Sequence, residues 1–349
     1  MRTLFKAVGG LLALTGTTFL LAWLTHYAPA PVEYPAIIQE GTPKTLKPGD
    51  TFSVVSWNLQ YSASRKYHFF YDGGPAVKPS AEDVQQTVRD IQQALREMDG
   101  DVVLLQEVDR KSQRTQNVDQ LLPFVEAVKP SHYVSTPYHK AVYLPVPPSD
   151  PLGPVETHKA ILSRFELRNA ERIQLAMLDE PAYRQWFNIK RCILGAEIPI
   201  EGGGVLRVGN THLSAFSGGD GTLTKQVASV KAWLEKAGPW LFAGDFNMLP
   251  PGDDPARLNA EADLYRDAVN PISALVPQFS SVIPPEQMLE PRWRTYLPFG
   301  YAEPDRMIDY MFHDAHLEVL SVEVPRAYAH ISDHLPMKTT FRLKIPSTP

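Results

Sequence analysis

Short apolar runs that each close on an amide, a carboxylate or an imidazole recur along this chain, and they restrict it to a fold built on sheets. Two of them are FSVVSWN, residues 52–58, and DVVLLQE, residues 101–107. Runs of this length and apolarity read as buried strands whose tips carry chemistry. Residues 240–245 have the same form, and further strands are expected at 159–163, 192–198, 205–212, 307–313, 317–324 and 338–343. Between the first two runs lies a helix. Ser80 can cap it with Asp83 three residues on, Val84, Val88, Ile91, Leu95 and Met98 form its apolar stripe, and Gly100 stops it. A second helix is expected over 222–237, with Leu223, Val227, Val230 and Leu234 on one face and Gly238 as terminator. Strands outnumber helices, so two sheets packed face to face with helices outside is the arrangement that covers every apolar face. Polar strand tips then meet along one edge.

Hydrophobic residues make up 44% of the 349, enough for a sizeable core, and no internal repeat divides the chain. One domain over residues 51–345 is expected, with Pro-rich loops near 144–154 and 284–298. A net charge of −5 gives no general attraction for a polyanion, so nucleic acid is not favoured as a partner. The single cysteine, Cys192, excludes an intrachain disulfide and a thiolate cluster, and as a free cysteine in a strand it reads as a small, buried and inert residue. Arg2 and Lys6 precede an uncharged stretch from Ala7 to Thr25 rich in leucine, which reads as a membrane-directing segment. Residues 1–28 are thus a signal-anchor or a cleavable signal peptide. The one small-x-small site, Ala28-Pro29-Ala30, is followed by Pro31, which favours the uncleaved anchor. Basic residues ahead of the span place the rest of the chain on the periplasmic or extracellular side of an inner or plasma membrane, and a cleaved segment would make it secreted. Residues 29–50 read as a Pro-rich linker.

The polar tips are Trp57-Asn58, Gln106-Glu107, Thr211-His212, Gly244-Asp245-Phe246-Asn247, Ile308-Asp309-Tyr310 and Ser332-Asp333-His334. Burying such groups without purpose is costly. Taken singly each has a plainer reading: an amide satisfying local backbone, a solvated glutamate, a core histidine. Their order and spacing, however, resemble the endonuclease/exonuclease/phosphatase superfamily, across nearly the whole of residues 52–343. The resemblance implies an α+β fold, a four-layer α/β sandwich of two packed mixed β-sheets flanked by helices. It implies Mg2+, or Mn2+, held principally by Glu107 with Asn58 and Asp333 as further ligands. It makes Asp245 the group that polarises the attacking water, and has Asn247 and His212 hydrogen-bond the phosphate. Asp309 and His334 match the family's dyad, in which the carboxylate fixes the imidazole tautomer.

Two departures bear on the substrate. Gln60 stands two places past Asn58, where DNA-repair members commonly carry an acid, and Thr157-His158-Lys159-Ala160 replaces the Tyr-Gly or Gly-Asn of nuclease relatives. His158 and Lys159 are therefore candidates for binding an anionic head group, with a solvated strand end as the plainer reading. The aromatic segment 68–74 is read as a substrate loop or a packed turn, and Arg292, Trp293, Arg294 and Tyr296 suit either a membrane interface or a phosphorylated ligand. The expectation is a membrane-anchored, metal-dependent phosphoesterase acting on a phospholipid-like or small phosphate ester. An exported endo/exonuclease is the rival of the same chemistry, and a catalytically idle binding module the rival of another class; the sequence carries no signal for oligomeric state.

Overall fold

The computed structural model describes residues 2–215, 219–265 and 270–345. Strand β1 (Val32–Glu33) and strand β2 (Ile38–Gln39) follow an amino-terminal helix, α1 (Arg2–Thr25). The first long strand, β3 (Thr51–Asn58), leads through helix α2 (Ala81–Met98) to β4 (Val102–Asp109), and α3 (Leu121–Val128) then leads to the hairpin of β5 (His132–Leu144) and β6 (Gly153–Ser163). Next come β7 (Arg168–Gln174), the one-turn α4 (Ala182–Gln185), β8 (Cys192–Pro199), β9 (Val205–His212), α5 (Thr222–Leu234) and β10 (Trp240–Asp245). The last strands are β11 (Ser280–Ser281), β12 (Asp309–His313), β13 (Leu317–Glu323) and β14 (Met337–Leu343).

These strands form two seven-stranded sheets, ordered β1-β7-β8-β9-β10-β12-β11 and β13-β14-β3-β4-β6-β5-β2. Each is mixed: β3 and β4 run parallel across α2, β9 and β10 run parallel across α5, and the other pairings of named strands are antiparallel. Two-residue alternation sorts the side chains of the second sheet. Phe52, Val54, Val102 and Leu104 point into the core shared with Leu194, Leu206 and Val208 of the first sheet, while Val55, Trp57, Val103 and Leu105 pack beneath Val88, Ile91 and Leu95 of α2. On the outer face of the first sheet, Trp233 of α5 lies against Phe242 of β10. The layers are those expected of a four-layer sandwich.

Several local expectations change. The Ser80 side chain accepts from the Asp83 amide and caps α2 as read, but the left-handed residue that ends the helix is Asp99 at φ 47°, not Gly100. The second helix stops at Leu234, three residues early. Strand β5, the first residues of β6, and β7 lie outside the strands read from the sequence. Pro137 interrupts β5, and it is tolerated because the β5–β6 register shifts between Pro137 and His139. The loop at 144–154 is the tip of this hairpin. Residues 29–50 are not a free tether: β1 and β2 add an edge strand to each sheet, Lys44 and Leu46 bridge to Phe165 and Ile200, and Leu46 is buried in the central core. Residues 2–25 form a helix that leans its Phe19 ring on Tyr183 and Trp186. Among the described residues no helix is long and apolar enough to cross a membrane. Cys192 is free and buried.

Candidate active site

Parallel pairing brings the carboxyl-terminal tips of β3, β4, β9 and β10 to one edge of the sandwich. Asn58 pairs with Gln106, which places Glu107 one residue beyond, and Asp245 pairs with His212. The antiparallel strands enter from the same edge. Asp309 opens β12 directly opposite Asp245, and His334 precedes β14 by a short turn. Two backbone devices aim the side chains. Glu107 adopts φ 57° where the β4–β6 register slips between Leu105 and Val108, a bulge that turns its carboxylate out of the ladder. Asn247 adopts φ 53° in a tight turn closed by its own amide on Asp245 Oδ1 at 2.9 Å.

Asp245 is the hub. Its Oδ2 accepts the Asn58 amide at 3.0 Å and lies 3.2 Å from His212 Nε2 and 3.6 Å from His334 Nε2. His334 Nδ1 lies 2.8 Å from Asp309 Oδ2, so the imidazole is strung between two carboxylates. Burial alone would lower the His334 pKa, but the Asp309 and Asp245 charges overcome it and raise it well above the usual imidazole range. Burial drives Asp245 the other way, well above an ordinary carboxylate, with Asp309 adding to the shift and His334 opposing it. His212 falls far below the usual value because it is buried and faces the charges of Arg191 and Lys159. Its Nδ1 lies 3.7 Å from Glu107 Oε1 and makes no hydrogen bond although buried.

The surroundings fix this geometry through residues that the sequence motifs passed over. The Trp57 indole donates to the His334 carbonyl at 2.8 Å, the Ser332 hydroxyl donates to the Asn58 carbonyl at 2.9 Å, and the Asp309 amide donates to Thr295 Oγ1 at 3.3 Å. The Tyr296 ring stands edge-on to His334 at 5.1 Å. Behind Glu107, Arg114 forms an ion pair with buried Asp109 at 2.9 Å and lies over the Tyr61 ring at 3.6 Å. Segment 68–74 is a packed turn, with Phe69 buried against Tyr61 and bridged to Ala76, and His68 stacked on Phe299.

All eight residues read as metal-binding or catalytic therefore sit at one edge: Asn58, Glu107, His212, Asp245, Asn247, Asp309, Asp333 and His334. His158 and Lys159 do not join them. His158 is buried beside Glu156, at 3.0 Å, and Ser135, at 3.3 Å. Lys159 is fully buried, with its ammonium on the Cys192 carbonyl and over the Tyr138 ring. Alternation along β6 and closure by the neighbouring strands leave neither as the open strand end that head-group binding requires.

The donor set suits a hard divalent cation. Burial raises Glu107, with the Asp333 carboxylate as the next cause, and burial likewise raises Asp333, against the opposing charges of His334 and Arg65. Asp245, Asp309 and His334 also offer ligand atoms all within 4.8 Å of one another. That trio is already closed by its internal hydrogen bond, whereas Glu107 keeps part of its surface open to the cleft. Glu107 and Asp333 are the ligands that the motif order implies, and they stand as a second candidate set beside that trio.

An acidic edge of this kind, laid across two facing mixed sheets, marks the sandwich hydrolases that act on phosphoester bonds. The chain belongs to the Endonuclease/Exonuclease/phosphatase family, whose sequence model matches residues 55–334. Among solved structures it is similar to an endonuclease/exonuclease/phosphatase from Beutenbergia cavernae DSM 12333, with a TM-score of 0.59, 19% identity, and 84% of this chain and 72% of that one covered. It is also similar to the human Nocturnin catalytic domain with bound sulfate anion (TM-score 0.53, 16% identity, 88% and 96% covered). The third is ANGEL2, a 2',3'-cyclic phosphatase, in complex with adenosine-2',3'-vanadate (TM-score 0.53, 16% identity, 91% and 100% covered). No curated protein matches the chain.

Proposed function

We propose that the protein is a magnesium-dependent hydrolase of a small or lipid-like phosphate ester. The observation that carries this reading is the contact chain Asp309–His334–Asp245, with the Asn58 amide on the same Asp245 oxygen. Asp309 holds the His334 Nδ1 proton and leaves Nε2 turned to Asp245. Asp245, pushed up by burial, is placed to take a proton from an attacking water, and the adjacent imidazolium steadies its charge. Asn247 spends one amide hydrogen on the Leu213 carbonyl at 3.1 Å and keeps the other for a phosphoryl oxygen. Magnesium or manganese at Glu107 and Asp333 would supply further positive charge for holding a phosphate at this acidic edge.

The test is turnover of bis-p-nitrophenyl phosphate by the full chain, before and after chelation, in wild type, Glu107→Gln and His334→Ala. The reading requires both variants and the chelated enzyme to lose activity, and undiminished turnover in either variant would sink it. Membrane anchoring belongs to the same proposal. Its support is Arg2 and Lys6 ahead of the uncharged stretch 7–25 and the exposed Phe19, Leu20, Leu21, Trp23 and Leu24. The anchor would hold the catalytic domain on the periplasmic or extracellular face, near membrane substrates. Recovery of the full chain in the soluble fraction, or rapid cutting of DNA with no turnover of a phospholipid panel, would favour the exported nuclease instead.

A further inference from the structure

Arg191 is a basic side chain beside the catalytic edge that the mechanism above leaves unused. It precedes β8, two residues beyond the Ile193–Thr211 pair, and so stands beside the tip of β9 that carries His212. It is 8% exposed, yet its Nη1 is buried without a hydrogen-bond partner, and among the described residues its guanidinium makes no ion pair or hydrogen bond. Other buried arginines are treated differently. Arg114 is paired with Asp109 and Arg306 with Asp305, and Arg172, whose Nη1 likewise has no partner, still donates through its other nitrogens to Pro137, Gln174 and Lys190. What holds Arg191 is Tyr138, whose ring it covers at 5.6 Å, and that ring packs 5.9 Å from the His212 imidazole. Its charge reaches Glu107, Asp245 and His212. A buried guanidinium with open donors is expensive to keep, and such a residue is retained where a ligand completes it.

We propose that Arg191, set on Tyr138, is a phosphate-binding residue of this site, donating to non-bridging oxygens of the substrate's phosphoryl group alongside the Asn247 amide. Guanidinium suits this task because its planar donors match a tetrahedral oxyanion and it stays charged at every working pH. The inference rests on the phosphoesterase reading, and it deepens it by naming what recognises the anion.

The test uses the full chain in excess magnesium with inorganic phosphate as the probe, followed by inhibition of bis-p-nitrophenyl phosphate turnover and by phosphate-dependent thermal shift. Arg191→Met and Arg191→Gln are expected to weaken phosphate binding at least tenfold in both readouts, with Arg191→Lys in between. A merely structural arginine would behave otherwise. Since Arg191 has no hydrogen-bond or ion-pair partner to orphan, and Met can pack on the Tyr138 ring in its place, Arg191→Met is expected to melt no lower than wild type without phosphate. Phosphate affinity unchanged in the Met or Gln variant, or a fall in melting temperature in both, overturns the proposal. The phosphoesterase reading fails separately, if wild type itself turns over no phosphate ester.

Discussion

His334 relies on Asp309 for its orientation, because Nδ1 has no other partner and Nε2 must then face Asp245. Asp309→Asn keeps the shape but loses the charge that holds the imidazole protonated. The expected loss in kcat is at least about 10²-fold, the lower range for a positioned acid–base group, with melting temperature little changed; steady-state kinetics beside a thermal melt checks both. These residues were legible from the chain because each ends an apolar run, where a polar group is conspicuous. Arg191 and Thr295 were not, since an arginine before a strand and a threonine in a loop are ordinary in sequence and acquire meaning only from what lies opposite. His158 and Lys159 misled for the converse reason: their polarity suggested an exposed tip, but the long hairpin of β5 and β6 carries them inside.

The pairing of β9 with β10 depends on one glycine. Gly244 has φ 147°, and a Cβ there would lie 2.0 Å from the Thr211 carbonyl oxygen, a backbone atom that cannot swing aside. Gly244→Ala is expected to cost about 3 kcal/mol or more, from strain plus displaced pairing, and to disturb His212 and Asp245 together; chemical denaturation with parallel activity assays checks it. Strand β5 carries a pH-dependent element. His139 is buried with a ring nitrogen on the Phe187 carbonyl, and burial first, then the Arg114 charge, lowers its pKa to about 4 from 6.5. The unfolded chain therefore binds this proton at higher pH than the folded one. Its stabilising effect is complete above about pH 6.5 and is lost as pH falls towards 4, worth on the order of 3 kcal/mol at most. Melting curves of wild type and His139→Asn from pH 7.5 to 4.5 are expected to converge at the acid end, and parallel curves would refute it. Element order was readable where periodicity was clean, as in α2, β9 and β10. It failed for β5, whose proline and mixed polarity hide a strand that only its neighbours stabilise.

Across the whole molecule, the two sheets hold the site's edge together through packing and ladders, so the cation of the proposed mechanism would serve chemistry and not folding. A chelator is therefore expected to abolish turnover, with restoration by magnesium or manganese, while far-ultraviolet circular dichroism stays unchanged; unfolding on chelation would contradict this. The stitched segment 29–50 makes a second demand. A chain beginning at Asp50 loses both edge strands and buried Leu46, so it is expected to melt several degrees below one beginning at Pro29. Equal melting temperatures would show the edge strands to be ornamental. By itself the sequence determined the two-sheet sandwich, its flanking helices and the eight polar tips, because hydrophobic periodicity and strand-end polarity are local properties of the chain. Only the tertiary structure decided which basic residues face the site, that the Pro-rich stretch is bound to both sheets, and that Glu107 leaves its ladder at a bulge. Those outcomes depend on which strands become neighbours, and long-range pairing is settled by packing across the whole molecule.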